Sequence, residues 1–227
     1  MTAIPRRQLN RQAKEKRILD AALIVFSDLG YTGATMDAIA FEAGLSKPTV
    51  YQYFESKERL FTAMMMAKRD DMLVAFERPS ADAMVEQLLA FSWRYASTIL
   101  RPDLLSLARL IIGETHRFPE IGRAYQAAGP DRVLEGIMAY LAEQRLNGRL
   151  EFEDVELASQ DLWGLVLSAP RTKALHRPDA LPDKAEVGRY IHNGLRVFIK
   201  AYSTQIETDL KRLHVSCEED DLNGQLD

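Results

Sequence analysis

The first thing this sequence lacks is cysteine. It occurs once, as Cys217 in a polar stretch, so no disulfide can form within the chain and nothing opposes a reducing compartment. Histidine is nearly as scarce: positions 116, 176, 192 and 214 are scattered, and Glu114 and His116, two apart, face different sides of a helix. There is no His-Glu-x-x-His, no cysteine pair and no glycine-rich phosphate loop. The chain therefore reads as a protein without catalytic residues, metal or cofactor. No run of about 18 apolar residues exists, which argues against a membrane helix. The opening MTAIPRRQLNRQAKEKR holds no apolar stretch, so no secretory leader is expected and the cytoplasm is the expected location. Alternating strand patterns and internal repeats are also missing.

What remains is a globular composition, 47% apolar, with an uneven charge. The net charge is −4. That total hides an end effect. Arg6, Arg7, Arg11, Lys14, Lys16 and Arg17 face a single acid, Glu15, in the first 17 residues. A basic end on an acidic body suits contact with phosphate, and equally suits a solvated, disordered tail.

The pattern is helical throughout. Ile18, Ala21, Ala22, Val25, Phe26 and Leu29 fall on one face of a 3.6-residue period, and Gly30 supplies a stop. Thr35 can cap a short helix from Met36 to Ala43, ended by Gly44. Ser46 can cap a third, with Pro48 in its first turn, and Ser56 a fourth running to about Arg78. Apolar stripes then follow at 84–99 and 104–112, with helices at about 130–145, 154–176 and 183–206. Residues 211–227, acidic and poor in apolar groups, read as disordered.

Function concentrates in Thr35 to Leu60, TMDAIAFEAGLSKPTVYQYFESKERL. Two short helices joined at Ala43-Gly44-Leu45 read as a helix-turn-helix, or else as an ordinary helical hairpin. Ile39, Ala40, Ala43, Leu45 and Val50 can bury inside it, leaving Lys47, Thr49, Gln52 and Tyr53 outward as groups suited to phosphates and base edges. The run Ile39-Ala40, Ala43-Gly44-Leu45-Ser46, Thr49-Val50-Tyr51, Tyr53-Phe54 and Ser56-Lys57-Glu58 resembles the DNA-binding signature of TetR-family transcriptional regulators over residues 15 to about 62. That resemblance implies DNA contacts from Thr35, Ser46, Lys47, Pro48, Thr49, Tyr51 and Tyr53, and a phosphate contact from Lys57. Phe41 departs from the pattern, standing where the family has a polar residue. It points outward, either onto the basic arm or into solvent.

Residues 101–114 with Arg117-Phe118-Pro119-Glu120 resemble the C-terminal domain of AefR-like regulators within that family. The resemblance implies an all-α protein in two parts: a helix-turn-helix domain over 1–62 with a basic arm, and a helical ligand-sensing and dimerisation domain over 63–210. It further implies a homodimer on a palindromic double-stranded operator, released by a small-molecule effector and acting as a repressor, with an activator, or a small-molecule-binding protein without operator specificity, as the alternative. Trp93, Glu114 and Phe118 are candidates for an apolar effector pocket with one acid. Asp161 and Trp163 are further candidates, although aromatics at such spacing more often pack a core. In TetR-like proteins the last helical pair meets its copy in a four-helix interface, which would place Leu157, Gly164, Leu167, Tyr190, Gly194 and Phe198 there. An internal hairpin is the alternative.

Overall fold

The computed structural model describes residues 6–72 and 82–223, with side chains from 9–67 and 82–216. The expected extension of the fourth helix to Arg78, and the first five residues of the basic arm, lie outside the described residues. The protein is all-α, as the sequence predicts. Eleven helices are described, with one isolated antiparallel bridge between Leu150 and Ser203.

Packing sorts the helices into two units. The first holds α1 (Arg6–Gly33), α2 (Met36–Glu42), α3 (Lys47–Tyr53), α4 (Lys57–Met72), α6 (Pro102–Glu114) and α7 (Pro119–Ala128). The second holds α5 (Met84–Ile99), α8 (Pro130–Leu146), α9 (Val155–His176), α10 (Lys184–Tyr202) and α11 (Ile206–Asn223). A division at residue 62 therefore does not follow the packing, because α6 and α7 complete the core of the first unit.

That core forms where the 3.6-residue period predicts. Ile18, Ala21, Ala22, Val25 and Phe26 of α1 meet Ile39, Val50, Leu60, Phe61, Met64 and Met65, and α6 adds Leu104, Leu107 and Ile111. Met66, the third of the methionine run, stays exposed. Leu29 and Ile112, expected on buried stripes, are also exposed, at 55% and 65%. The basic stretch from Arg6 onward is the first part of α1, not a disordered tail. Gly30 breaks α1 with φ 71° and ψ 167°, and one further turn reaches Gly33. Helix α7 is not anticipated by the sequence reading. Pro119 opens it at a position where a missing N–H costs nothing, and it buries Ile121 and Ala128.

The second unit packs Leu88, Phe91 and Tyr95 of α5 and Ile137, Tyr140 and Leu141 of α8 against Leu162, Val166, Ile191, Leu195 and Phe198 of α9 and α10. Helices α9 and α10 approach so closely at Gly194 that a Cβ there would lie 2.6 Å from the carbonyl oxygen of Leu165. Helix α11 corrects the expectation of disorder over 211–223, where it runs to Asn223 and buries Leu213; residues 224–227 lie outside the described residues. A buried ion pair secures it. Arg149 reaches Asp209 at 2.6 Å, with 8% and 0% of their side chains exposed, and Ser203 Oγ donates to the other Asp209 oxygen. Low apolar content concealed this helix because a polar contact 60 residues away in sequence holds it.

Candidate nucleic-acid interface

The interface begins with two caps. Thr35 Oγ1 accepts from the N–H of Ala38 at 3.1 Å, starting α2. Ser46 Oγ accepts from the N–H of Thr49 at 3.4 Å and lies 2.7 Å from Thr49 Oγ1, starting α3. Such caps satisfy amide donors that a helix of seven residues leaves unpaired. Gly44, at φ 60°, makes the turn between them. Arg17 of α1 braces that turn, donating from Nη2 to the carbonyl of Ala43 at 2.6 Å. The cation sits against the carbonyl end of α2, where it is favoured.

Val50 is fully buried and Phe54 nearly so, which fixes the rotation of α3 about its axis. Lys47, Pro48, Tyr51 and Gln52 consequently stand exposed on one side, with Thr35 and Ser46 exposed beside them and Thr49 and Tyr53 half-buried. Phe41 is 88% exposed. Lys47 has an acid partner that sequence reasoning missed: its Nζ is 2.9 Å from both carboxylate oxygens of Asp37. Hydrogen bonding to Asp37 and the charge of its carboxylate raise the Lys47 pKa. The two residues are ten apart, on different helices, so no spacing rule reveals them.

Lys57 has partners within its own chain. Its Nζ donates to the carbonyls of Tyr31 at 2.8 Å and Ala34 at 3.1 Å, and lies 4.6 Å from the Tyr31 ring centroid. The ammonium closes the turn that launches α2, committing two of its three N–H donors to the chain's own carbonyls.

Glu114 and Phe118 also move. Glu114 Oε1 accepts from the N–H of Tyr31 at 3.0 Å and of Thr32 at 3.5 Å. Phe118 packs edge-on against Tyr31, with centroids 4.8 Å apart. Both belong to the first unit, whereas Trp93 belongs to the second. Within the first unit the acid is committed to backbone amides and the phenyl ring packs against the core. Tyr31 lies under all of these groups. Burial first, and then the charge of Glu58, push its hydroxyl up to about 12.

In the second unit, Trp93 lies in an open groove of about 590 Å³ with Leu89, Arg94 and Lys184. Its ring edge rests on Gly188, where a Cβ would approach to 3.2 Å. Trp163 Nε1 donates to the Tyr95 hydroxyl, and the Tyr202 hydroxyl donates to Asp161. The bond to Asp161 leads the causes that raise Tyr202 to about 12. Of the residues expected at a dimer interface, Leu157 is 63% exposed, Gly164 faces open space and Tyr190 is half-buried. Leu167, Gly194 and Phe198 need correction. They are buried within the protomer, where they form the α9–α10 hairpin that sequence reading left as the alternative.

Among the described residues, no cluster of three or more His, Cys, Asp or Glu gathers as a metal site, and no helix is long and apolar enough to cross a membrane.

Comparison with known proteins places this geometry. Residues 18–64 match the family of bacterial regulatory proteins of the tetR type, and residues 86–204 match the AefR-like transcriptional repressor C-terminal domain. The transcriptional activator FasR of Mycolicibacterium smegmatis is 42% identical over 66 residues, covering 29% of this chain and 30% of FasR. The chain thus spans less than a third of that relative's length. A TetR-family regulator from Mesorhizobium loti is 28% identical with a TM-score of 0.74, over 85% of this chain and 98% of that one. The flavonoid-responsive regulator FrrA is 29% identical with a TM-score of 0.72, over 86% and 99%. The exposed face of α3, the braced turn at Gly44 and the two matches that together span most of the sequence lead to one conclusion: the chain belongs to the TetR family of DNA-binding transcriptional regulators, in its AefR-like branch.

Proposed function

We propose that this regulator is a ligand-responsive repressor that binds a palindromic operator as a homodimer and leaves it when a small molecule binds. The observation that carries the reading is the outward face of α3, where Lys47, Pro48, Tyr51 and Gln52 are presented by a helix whose inner side is locked by Val50. Thr35, Ser46, Thr49 and Tyr53 complete the DNA-facing set. One such helix makes too few contacts for operator affinity, so two copies read half-sites about one helical turn apart, roughly 34–36 Å. Leu157 and Gly164 on α9 with Tyr190 on α10 form the surface for the second copy.

The effector has an apolar or aromatic body. Trp93 in its open groove supports this, and FrrA is named for its response to flavonoids. Glu86, Arg94 and Lys184 line the groove beside Trp93, so the body of the effector is matched by polar groups of both charges. The protein works in the cytoplasm, without catalysis. Selection of bound sequences from a random duplex pool, followed by release with planar aromatic compounds, tests the reading. Enrichment of a palindrome supports it, and indifference to sequence defeats it. Activation is the second reading, favoured by the similarity over 66 residues to FasR, which is named as an activator. A reporter with the selected site separates the two.

A further inference from the structure

The surface expected to face DNA has an electrostatic peculiarity. Between Thr35 and Ser56 the sequence holds a single Lys or Arg, Lys47, the first residue of α3. That one cation is not presented bare. Asp37, in the first turn of α2, holds its ammonium with both carboxylate oxygens at 2.9 Å. Both partners are well exposed, 55% for Lys47 and 63% for Asp37.

We infer that Asp37 is an affinity-setting residue for DNA: it competes with phosphate for Lys47 and so holds down sequence-independent binding. Sequence-independent affinity comes from cations that neutralise phosphates and release counterions. A lysine already paired to a carboxylate must give up that partner, or share it, before it neutralises a phosphate. Because the pair is open to solvent, the exchange is possible. An exposed pair adds little to stability, so the contact with Lys47 is not accounted for as a support of the fold, and Asp37→Asn tests the pair on DNA affinity instead. The inference rests on the assignment of Lys47 to the DNA-facing surface.

The test needs no operator. The full-length protein is titrated onto a fluorescent random-sequence duplex of about 30 base pairs, and anisotropy is read across a salt series. Asp37→Asn is expected to bind roughly two- to fivefold more tightly at about 0.1 M salt, the range an exposed ion pair spans. Lys47→Gln is expected to bind more weakly, with a log–log salt slope shallower by about 0.9. In the double variant the gain from Asp37→Asn is expected to vanish. Circular dichroism checks that all three fold, and a gain in affinity is not a product of misfolding. The inference is overturned if Asp37→Asn matches the wild type. It is also overturned if the gain survives in the Lys47→Gln background, since Asp37 would then merely repel the duplex. If Lys47→Gln binds as the wild type does, Lys47 does not meet DNA, and the assignment beneath the inference fails first.

Discussion

Glu114, the last residue of α6, accepts the backbone N–H of Tyr31 across 83 positions of sequence. It thereby grips the turn that follows the Gly30 break and leads to the Thr35 cap. Lys57 grips the same turn from its carbonyl side. An acid on the donors and a cation on the acceptors together fix where α2 begins. Glu114→Ala is expected to cost about 1–3 kcal/mol, because charged hydrogen bonds are lost and a partly buried amide is left unpaired. Glu114→Gln, which keeps an acceptor, should cost less. Urea unfolding measures both, and equal losses would show that charge, not acceptance, matters.

The two lysines near the interface are expected to separate cleanly. Lys57→Met should lower stability by about 1–2 kcal/mol, through two lost hydrogen bonds and a lost ammonium–ring contact, while leaving the salt dependence of DNA binding unchanged. Lys47→Gln should leave stability within about 0.5 kcal/mol and make the salt dependence shallower. Thermal melts and a salt series on each variant check this.

The same contrast holds for two glycines. Gly194→Leu drives a side chain into the backbone of α9 and is expected to destabilise the protomer by at least about 1–3 kcal/mol, read by denaturant unfolding. A Cβ at Gly164 would have nothing within 4 Å, so Gly164→Glu is expected to fold normally. Sedimentation should then show it dissociated, if α9 carries the dimer. A folded dimer would move that surface elsewhere.

Alkaline pH is expected to destabilise the first unit. Tyr31 ionises at about 10 in an unfolded chain and about 12 in the fold, because burial and Glu58 disfavour the phenolate. The folded-state pKa is the higher one, so its contribution is complete below pH 10 and is lost as pH rises from about 10 towards 12. Burial raises Tyr140 in the same direction. Tyr31→Phe should flatten the fall in unfolding free energy over that window, as urea melts at successive pH values would show.

The helix-turn-helix was legible because its determinants are local. Thr35, Gly44, Ser46 and Val50 each act within a few residues of themselves, through a cap, a turn or one helical face. The roles of Lys57 and Glu114 were not legible, since both act on backbone groups more than 20 positions away. Their charge suggested phosphate and ligand; their geometry gives them the chain's own carbonyls and amides. Gly194 and Phe198 misled for a related reason. Small and apolar residues on a helix mark a close contact without saying whether the partner is the same protomer or another. Helix α7 was missed because ten residues show too short a period to stand out.

The match to the AefR-like domain stops at residue 204, but the fold does not. Asp209, beyond that limit, is the carboxylate on which the buried Arg149 depends. A chimera that carries this chain's sensor only as far as the family boundary would take Arg149 and leave Asp209 behind, removing the carboxylate from a buried ion pair. The transferable module therefore ends after α11, and a graft of shuffled relatives should respect that seam.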